Sequence, residues 1–217
     1  MVSVPLVVVA ALLWWAAMPL WLVLLPLVDV VRHRPRWPIT RLGAFGAHFL
    51  LVEVLGLLML LGVWCSAPLS LERRRRRTWS VQNRYTAWHM RGVQRCFALR
   101  FVEQRPLPRI DGPVVVLVRH ASIIDVLVPG VFLAVNHALK LRYVLKKELL
   151  WEPCLDIAGH WLPNHFVDRA GTDTEREVNA IRALKSGLSS AEGVLIYPEG
   201  TRFSRRKREA VLEKLTG

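Results

Sequence analysis

Hydrophobic positions fall into three regimes along the chain. The first, Met1 to Val28, contains no charged side chain. At about 1.5 Å per residue such a run exceeds the ~30 Å hydrocarbon core of a bilayer, which predicts a membrane-crossing helix. It does not fit a secretory signal peptide. No Lys or Arg precedes it, the run is too long for an h-region, and no small-x-small site ends it. It reads as a retained anchor. The second apolar stretch, Leu42 to Leu71, carries His48 and Glu53, so that only Val54 to Leu71 is free of charge. An acidic side chain at membrane depth costs ~3 kcal/mol or more. Glu53 is therefore expected to face protein or water or to lie near the interface, with a buried helix partner as the preferred reading. Basic clusters follow both stretches: Arg32, Arg34, Arg36 and Arg41, then Arg73 to Arg77. If both stretches crossed, these clusters would fall on opposite sides, against the positive-inside tendency. The expectation is that the first stretch crosses and the second re-enters or lies shallow.

From Trp79 to Leu99 the spacing becomes helical. Val81, Tyr85, Trp88, Gly92, Cys96 and Leu99 share one face, with Arg84, Arg91 and Arg95 beside it. This pattern predicts an interfacial helix, with rings in the acyl boundary and guanidinium groups on lipid phosphate. The alternative is a core-packed helix with a solvated basic edge.

The third regime starts after Arg105-Pro106-Leu107-Pro108. Val114 to Val118 predicts a strand buried on both faces. Ile123 to Val135 predicts a helix disturbed by Pro129 and Gly130. Arg142 to Leu145 predicts a strand, and Trp161 to Val167 an irregular segment ending in a short one. Thr174 to Ser189 predicts a helix, opened by a Thr174/Glu177 capping box and striped by Val178, Ile181, Leu184 and Leu188. Val194 to Tyr197 predicts a last buried strand. The fold class is α/β, a mostly parallel sheet flanked by helices and preceded by hydrophobic membrane helices. The expected organisation is 1–72 for membrane anchoring, 73–109 for the basic amphipathic helix and linker, and 110–217 for the α/β domain.

Composition sharpens the class. The chain has 217 residues, and 30 Lys and Arg against 17 Asp and Glu leave a net charge of +13. That surplus calls for a polyanionic partner. A hydrophobic fraction of 53% and nine Trp favour a membrane surface over nucleic acid. Cys65, Cys96 and Cys154 have neither metal-type nor disulfide-framework spacing, which fits a reducing compartment.

Ligands of parallel sheets gather beyond the C-terminal strand ends, and two polar sets fall there. His120 follows the first strand, with Asp125 five residues on. On one helix they would diverge by about 140°. They meet only if His120 lies in the turn before the helix, Ser122 caps it, and Asp125 sits in its first turn. A carboxylate on one imidazole nitrogen would leave the other to take a proton from an alcohol. The alternative is that Asp125 only caps the helix. After the last strand, Tyr197-Pro198-Glu199-Gly200-Thr201-Arg202 combines a permissive Gly with a guanidinium suited to phosphate. Arg169, after Phe166-Val167-Asp168, is a further phosphate candidate, with an ion pair to Asp168 or Asp173 as its alternative. Lys146-Lys147-Glu148 is a weaker set.

In this order and spacing, His120-Ala-Ser-Ile-Ile-Asp125, Lys146-Lys147-Glu148-Leu149, Phe166-Val167-Asp168-Arg169 and Tyr197-Pro-Glu-Gly-Thr-Arg202 resemble the blocks of the glycerolipid acyltransferase family, over roughly residues 110 to 205. Its type member is 1-acylglycerol-3-phosphate acyltransferase. The resemblance implies His120 as general base and Asp125 as its orienting carboxylate. It implies Lys147, Arg169, Glu199, Gly200, Thr201 and Arg202 as substrate-binding residues. The acceptor would be lysophosphatidic acid or a related lysophospholipid, and the donor acyl-CoA or acyl carrier protein as co-substrate. No metal or other cofactor is implied. The expected setting is phospholipid biosynthesis or remodelling by an integral membrane protein, in contact with membrane lipids and not with nucleic acid, its catalytic domain on the cytoplasmic face. Three features depart from the family pattern. Arg119 stands where the family has Asn before its His, Phe203 interrupts an Arg-Ser pairing, and a later Pro-containing apolar block does not occur before Gly217, so a C-terminal truncation is expected. Two rival readings are a non-catalytic lipid-binding membrane protein of the same fold and a lipid hydrolase using Ser122, although no Gly-x-Ser-x-Gly elbow surrounds that serine.

Overall fold

The structure, a computed structural model, describes residues 3–66, 70–102, 104, 110, 112–120, 122–168, 174–198, 209 and 212–213. The chain forms two compact units, one of residues 1–107 and 148–162, the other of 108–147 and 163–217.

In the first unit, the opening apolar run is two helices, α1 (Ser3–Ala16) and α2 (Met18–Val31), bent by 73°. Pro19 cannot donate an N–H back to the preceding turn, so the helix breaks there. The Trp14 carbonyl at the break is taken by the indole N–H of Trp21, 2.9 Å away. α3 (Pro38–Cys65) is by contrast unbroken over 28 residues, about 42 Å at helical rise. It is the one described helix long and apolar enough to cross a membrane, and α1 with α2 would make a second if the bent pair were one span. The bend lies in the first apolar stretch and the continuous helix in the second.

The start of α3 is capped from outside. Trp37, at its N-cap, is left-handed and offers no capping atom. Buried Asp29 of α2 replaces it, accepting from Ile39 N–H at 3.2 Å and from the Thr40 N–H and hydroxyl at 2.8 Å each. A carboxylate at a helix N-terminus satisfies orphan donors and meets the positive end of the dipole.

α4 (Leu71–Phe97) packs antiparallel on α3. Phe97 meets Phe45 with ring centroids 5.3 Å apart, and the Trp88 carbonyl lies 2.9 Å from His48 Nε2. The Tyr85 hydroxyl donates to Glu53. α5 (Pro153–Trp161) joins them through Cys154 and Ala158, which pack with Leu60, Val63 and Val81. Val81, Tyr85 and Gly92 of the apolar stripe are therefore packed against protein, whereas Leu99 lies beyond α4 and is exposed, and Arg84, Arg91 and Arg95 form the exposed basic edge. Glycine permits the close approach: a Cβ at Gly92 would sit 2.1 Å from His48 Cδ2.

The second unit is a four-stranded, all-parallel sheet in the order β1-β4-β2-β3, formed by β1 (Val114–Leu117), β2 (Lys140–Lys146), β3 (His165–Val167) and β4 (Glu192–Ile196). Its core is Leu133, Ala134, Leu139, Leu141, Tyr143 and Leu195. β4, in the middle, is buried along almost its whole length. Edge strand β1 was expected to be buried on both faces, but Val115 and Leu117 remain 63% and 66% exposed. The segment expected as one helix is a 3-10 turn, Ile123–Val126, then a π-helical stretch, Gly130–Val135. Pro129, lacking an N–H, stands between them. α6 (Thr174–Ala183) is shorter than its hydrophobic stripe suggests. Arg142 ends it: its guanidinium donates to the carbonyls of Leu184, Ser186 and Gly187 at 2.9–3.0 Å and to Glu192 at 2.7 Å. Gly187, at φ +65°, supplies the left-handed residue such an ending needs. The Glu177 carboxylate lies 2.7 Å from His165 Nε2, tying α6 to β3.

Candidate active site

Because all four strands are parallel, their C-terminal ends share one edge of the sheet. His120 follows β1, Lys147 follows β2, Asp168 follows β3, and Tyr197 and Pro198 follow β4. The sheet alone thus gathers four polar segments that lie far apart in the chain.

β1 and β4 are direct neighbours, and their pairing continues beyond the strands, with Val118 N–H donating to the Ile196 carbonyl at 3.0 Å. That register carries His120 beside Tyr197, ring centroids 5.3 Å apart. The Tyr197 hydroxyl donates to the backbone carbonyl of Asp125 at 3.3 Å. Burial pushes the phenol pKa up, with Tyr143 and Asp125 adding to it, so the group stays a donor.

The turn after β1 decides the geometry of His120. Ser122 is the N-cap, with extended backbone, and its hydroxyl accepts from Ile124 N–H at 3.4 Å. Ser122 N–H in turn donates to Asp125 Oδ2 at 2.5 Å, completing a capping box. The same Oδ2 lies 3.8 Å from His120 Nδ1. One carboxylate therefore does both things the sequence left as alternatives, capping the turn and facing the imidazole. His120 avoids the divergence of a shared helix because it precedes the cap. A separation of 3.8 Å suits an ion pair with a charged imidazole and is longer than a hydrogen bond; such contacts tighten when substrate binds. The side chains of His120 and Asp125 keep 18% and 25% exposure, enough for a reacting group to reach them. The Ser122 hydroxyl is engaged as the cap.

Lys147 Nζ lies 2.7 Å from Asp168 Oδ2 in an exposed pair across the ends of β2 and β3. Arg169, Glu199, Gly200, Thr201 and Arg202 lie outside the described residues.

A match to the family of acyltransferases covers residues 98–216, more than half of the chain. The chain belongs to the acyltransferase family. Neither a curated protein nor a solved structure matches it significantly. The matched segment holds all four strands of this acyltransferase and every strand-end residue named above. Two neighbours at this edge escaped sequence reasoning. Tyr197 belongs to the last block, yet nothing in its spacing places it against His120; an aromatic between a buried strand and a proline was the only signal. Asp168 was read as a partner for Arg169, and its contact with Lys147 depends on strand order.

Proposed function

We propose that this acyltransferase moves a fatty acyl group from a thioester donor, acyl-CoA or acyl carrier protein, to the free hydroxyl of lysophosphatidic acid or a related lysophospholipid. The observation that carries the reading is the Asp125 carboxylate 3.8 Å from His120 Nδ1 at the shared strand-end edge. With its Nδ1 side facing a carboxylate, the imidazole presents Nε2 for proton transfer. Nε2 takes the hydroxyl proton as the acceptor oxygen attacks the thioester carbonyl. The tetrahedral intermediate collapses, the carbon–sulfur bond breaks, and the imidazolium returns its proton to the leaving thiolate. Asp125 stabilises the imidazolium meanwhile. Lys147, Arg169, Glu199, Gly200, Thr201 and Arg202 are the residues we assign to the acceptor's phosphate and glycerol.

The acceptor is a membrane lipid, and the apolar α1, α2 and α3 supply the means of reaching it. We place the catalytic domain on the cytoplasmic face, where the basic run Arg73–Arg77 meets anionic headgroups. The test is His120→Ala in the full chain. Transfer should fall by ~10² to 10⁴ while co-flotation with liposomes is unchanged. Transfer near the wild-type rate defeats the mechanism, release of free fatty acid without acylated lipid points instead to a hydrolase, and lipid binding by wild type with no transfer points to a non-catalytic protein.

A further inference from the structure

The first unit contains a polar cluster that the transfer chemistry does not use. Glu53, in the middle of α3, is completely buried. Tyr85 of α4 donates its hydroxyl to Oε1, and Oε2 has no hydrogen-bond donor among the described residues. Opposite stands Glu152, whose carboxylate caps α5 by accepting from Cys154 N–H at 2.9 Å and Leu155 N–H at 2.7 Å. Two residues on is Cys154, 4% exposed and without a disulfide, its thiol 3.4 Å from the Glu53 backbone carbonyl. The ligand atoms of Glu53, Glu152 and Cys154 all lie within 4.8 Å of one another. A fourth donor stands beside Glu53: His89 of α4 is buried, its Nε2 has no hydrogen-bond partner among the described residues, and it lies 3.7 Å from Glu53 Oε1.

Two carboxylates cannot face each other bare inside a protein; a proton or a cation must stand between them. Among the described residues no Lys or Arg forms an ion pair with either one. The titratable groups that face the pair are Tyr85 and His89 from α4 and Cys154 from α5. We propose that Glu53, Glu152, Cys154 and His89 form a binding site for a borderline divalent transition metal, Zn2+, that ties α3, α4 and α5 together. The donor set is what selects this class, because one thiolate, one imidazole and two carboxylates match Zn2+ and would suit neither Ca2+ nor Mg2+. Tetrahedral Zn2+ with bonds of about 2.0–2.3 Å holds its ligand atoms about 3.3–3.8 Å apart, so binding draws Glu53, Glu152 and Cys154 closer than their present 4.8 Å limit and brings in His89 from beside Glu53. The Tyr85 hydroxyl is the outer partner that orients a carboxylate ligand. Binding expels the thiol proton and any proton shared by the carboxyls, and the α5 N-terminus offsets part of the ligands' negative charge.

The test uses the purified full chain in detergent micelles and is independent of the transfer reading. Elemental analysis should find one equivalent of Zn2+ per chain. Replacement by Co2+ should give tetrahedral d–d absorption and a thiolate-to-cobalt charge-transfer band. Cys154→Ser should abolish that band. Tyr85→Phe, which removes no ligand, should weaken Zn2+ affinity by ~10- to 100-fold. A folded wild-type chain that takes up neither metal overturns the proposal and leaves the carboxyl pair sharing only a proton. Bound Co2+ whose spectrum lacks the thiolate band, or whose band survives Cys154→Ser, overturns it as well.

Discussion

Asp125→Asn separates the two duties of one carboxylate. The amide keeps an oxygen to accept from Ser122 N–H, so the capping box survives, but the charge facing His120 is gone. At the observed 3.8 Å, a pair of unit charges is worth about 4 kcal/mol at an effective dielectric of ~20 and about 1 kcal/mol in water. Side-chain exposures of 18% and 25% put the real environment between these limits. At 1.36 kcal/mol per decade, the loss of support for the imidazolium slows transfer by about 10- to 10³-fold. The loss should fall mainly on kcat, since the charge matters after the hydroxyl proton has moved. Release of the donor thiol, followed with saturating lysolipid, measures it, and thermal unfolding within about 2 °C of wild type would show that the cap is intact. Asp125→Ala should lose the same rate and also about 1 kcal/mol of local stability. A fully active Asp125→Asn protein would show that the carboxylate serves only the turn, and the reasoning about His120 would fail with it.

Two further substitutions probe the scaffold. Arg142→Leu takes the guanidinium from three carbonyls and from Glu192, which keeps only the Ser189 N–H, and should cost ~3–5 kcal/mol in thermal or urea unfolding. The Arg142→Leu/Glu192→Leu double variant should recover much of that loss; a double variant as unstable as the sum of the two singles would contradict the pairing argument. Gly92→Ala drives a methyl into His48 and should cost ~1–3 kcal/mol, whereas Gly62→Ala, with nothing within 4 Å of the added carbon, should be neutral or mildly stabilising. Equal behaviour of the two glycines would mean that α3 and α4 do not approach as closely as described.

Much of the catalytic half was legible because its signals are local. A continuous β-branched run predicts a buried strand, and Val114–Leu117 and Glu192–Ile196 are strands, although only the second is buried. A Ser followed three residues later by Asp predicts a capping box, and Ser122 and Asp125 make one. Where a signal depended on what packs alongside, reading failed. The stripe of α4 suits a lipid surface and a helix surface equally, because both are apolar. The helix Pro153–Trp161 has a Pro at its first position and Glu152 as its cap, yet its short apolar run carries no clear period. The ending of α6 is set by Arg142, 42 residues before Leu184.

By itself the sequence determined which segments are apolar enough to meet a membrane and that an α/β domain follows, and its motifs carry the resemblance to an acyltransferase family. The first two follow from composition and from contacts within a few residues. Only the tertiary structure decided that α3 is the continuous apolar helix, that β4 lies between β1 and β2, and that His120 stands against Tyr197. It alone brought Glu53, His89, Glu152 and Cys154 to one place. Hydrogen-bonded strand order and helix packing join residues up to 101 positions apart, as Glu53 and Cys154 are, and no local pattern encodes such distances.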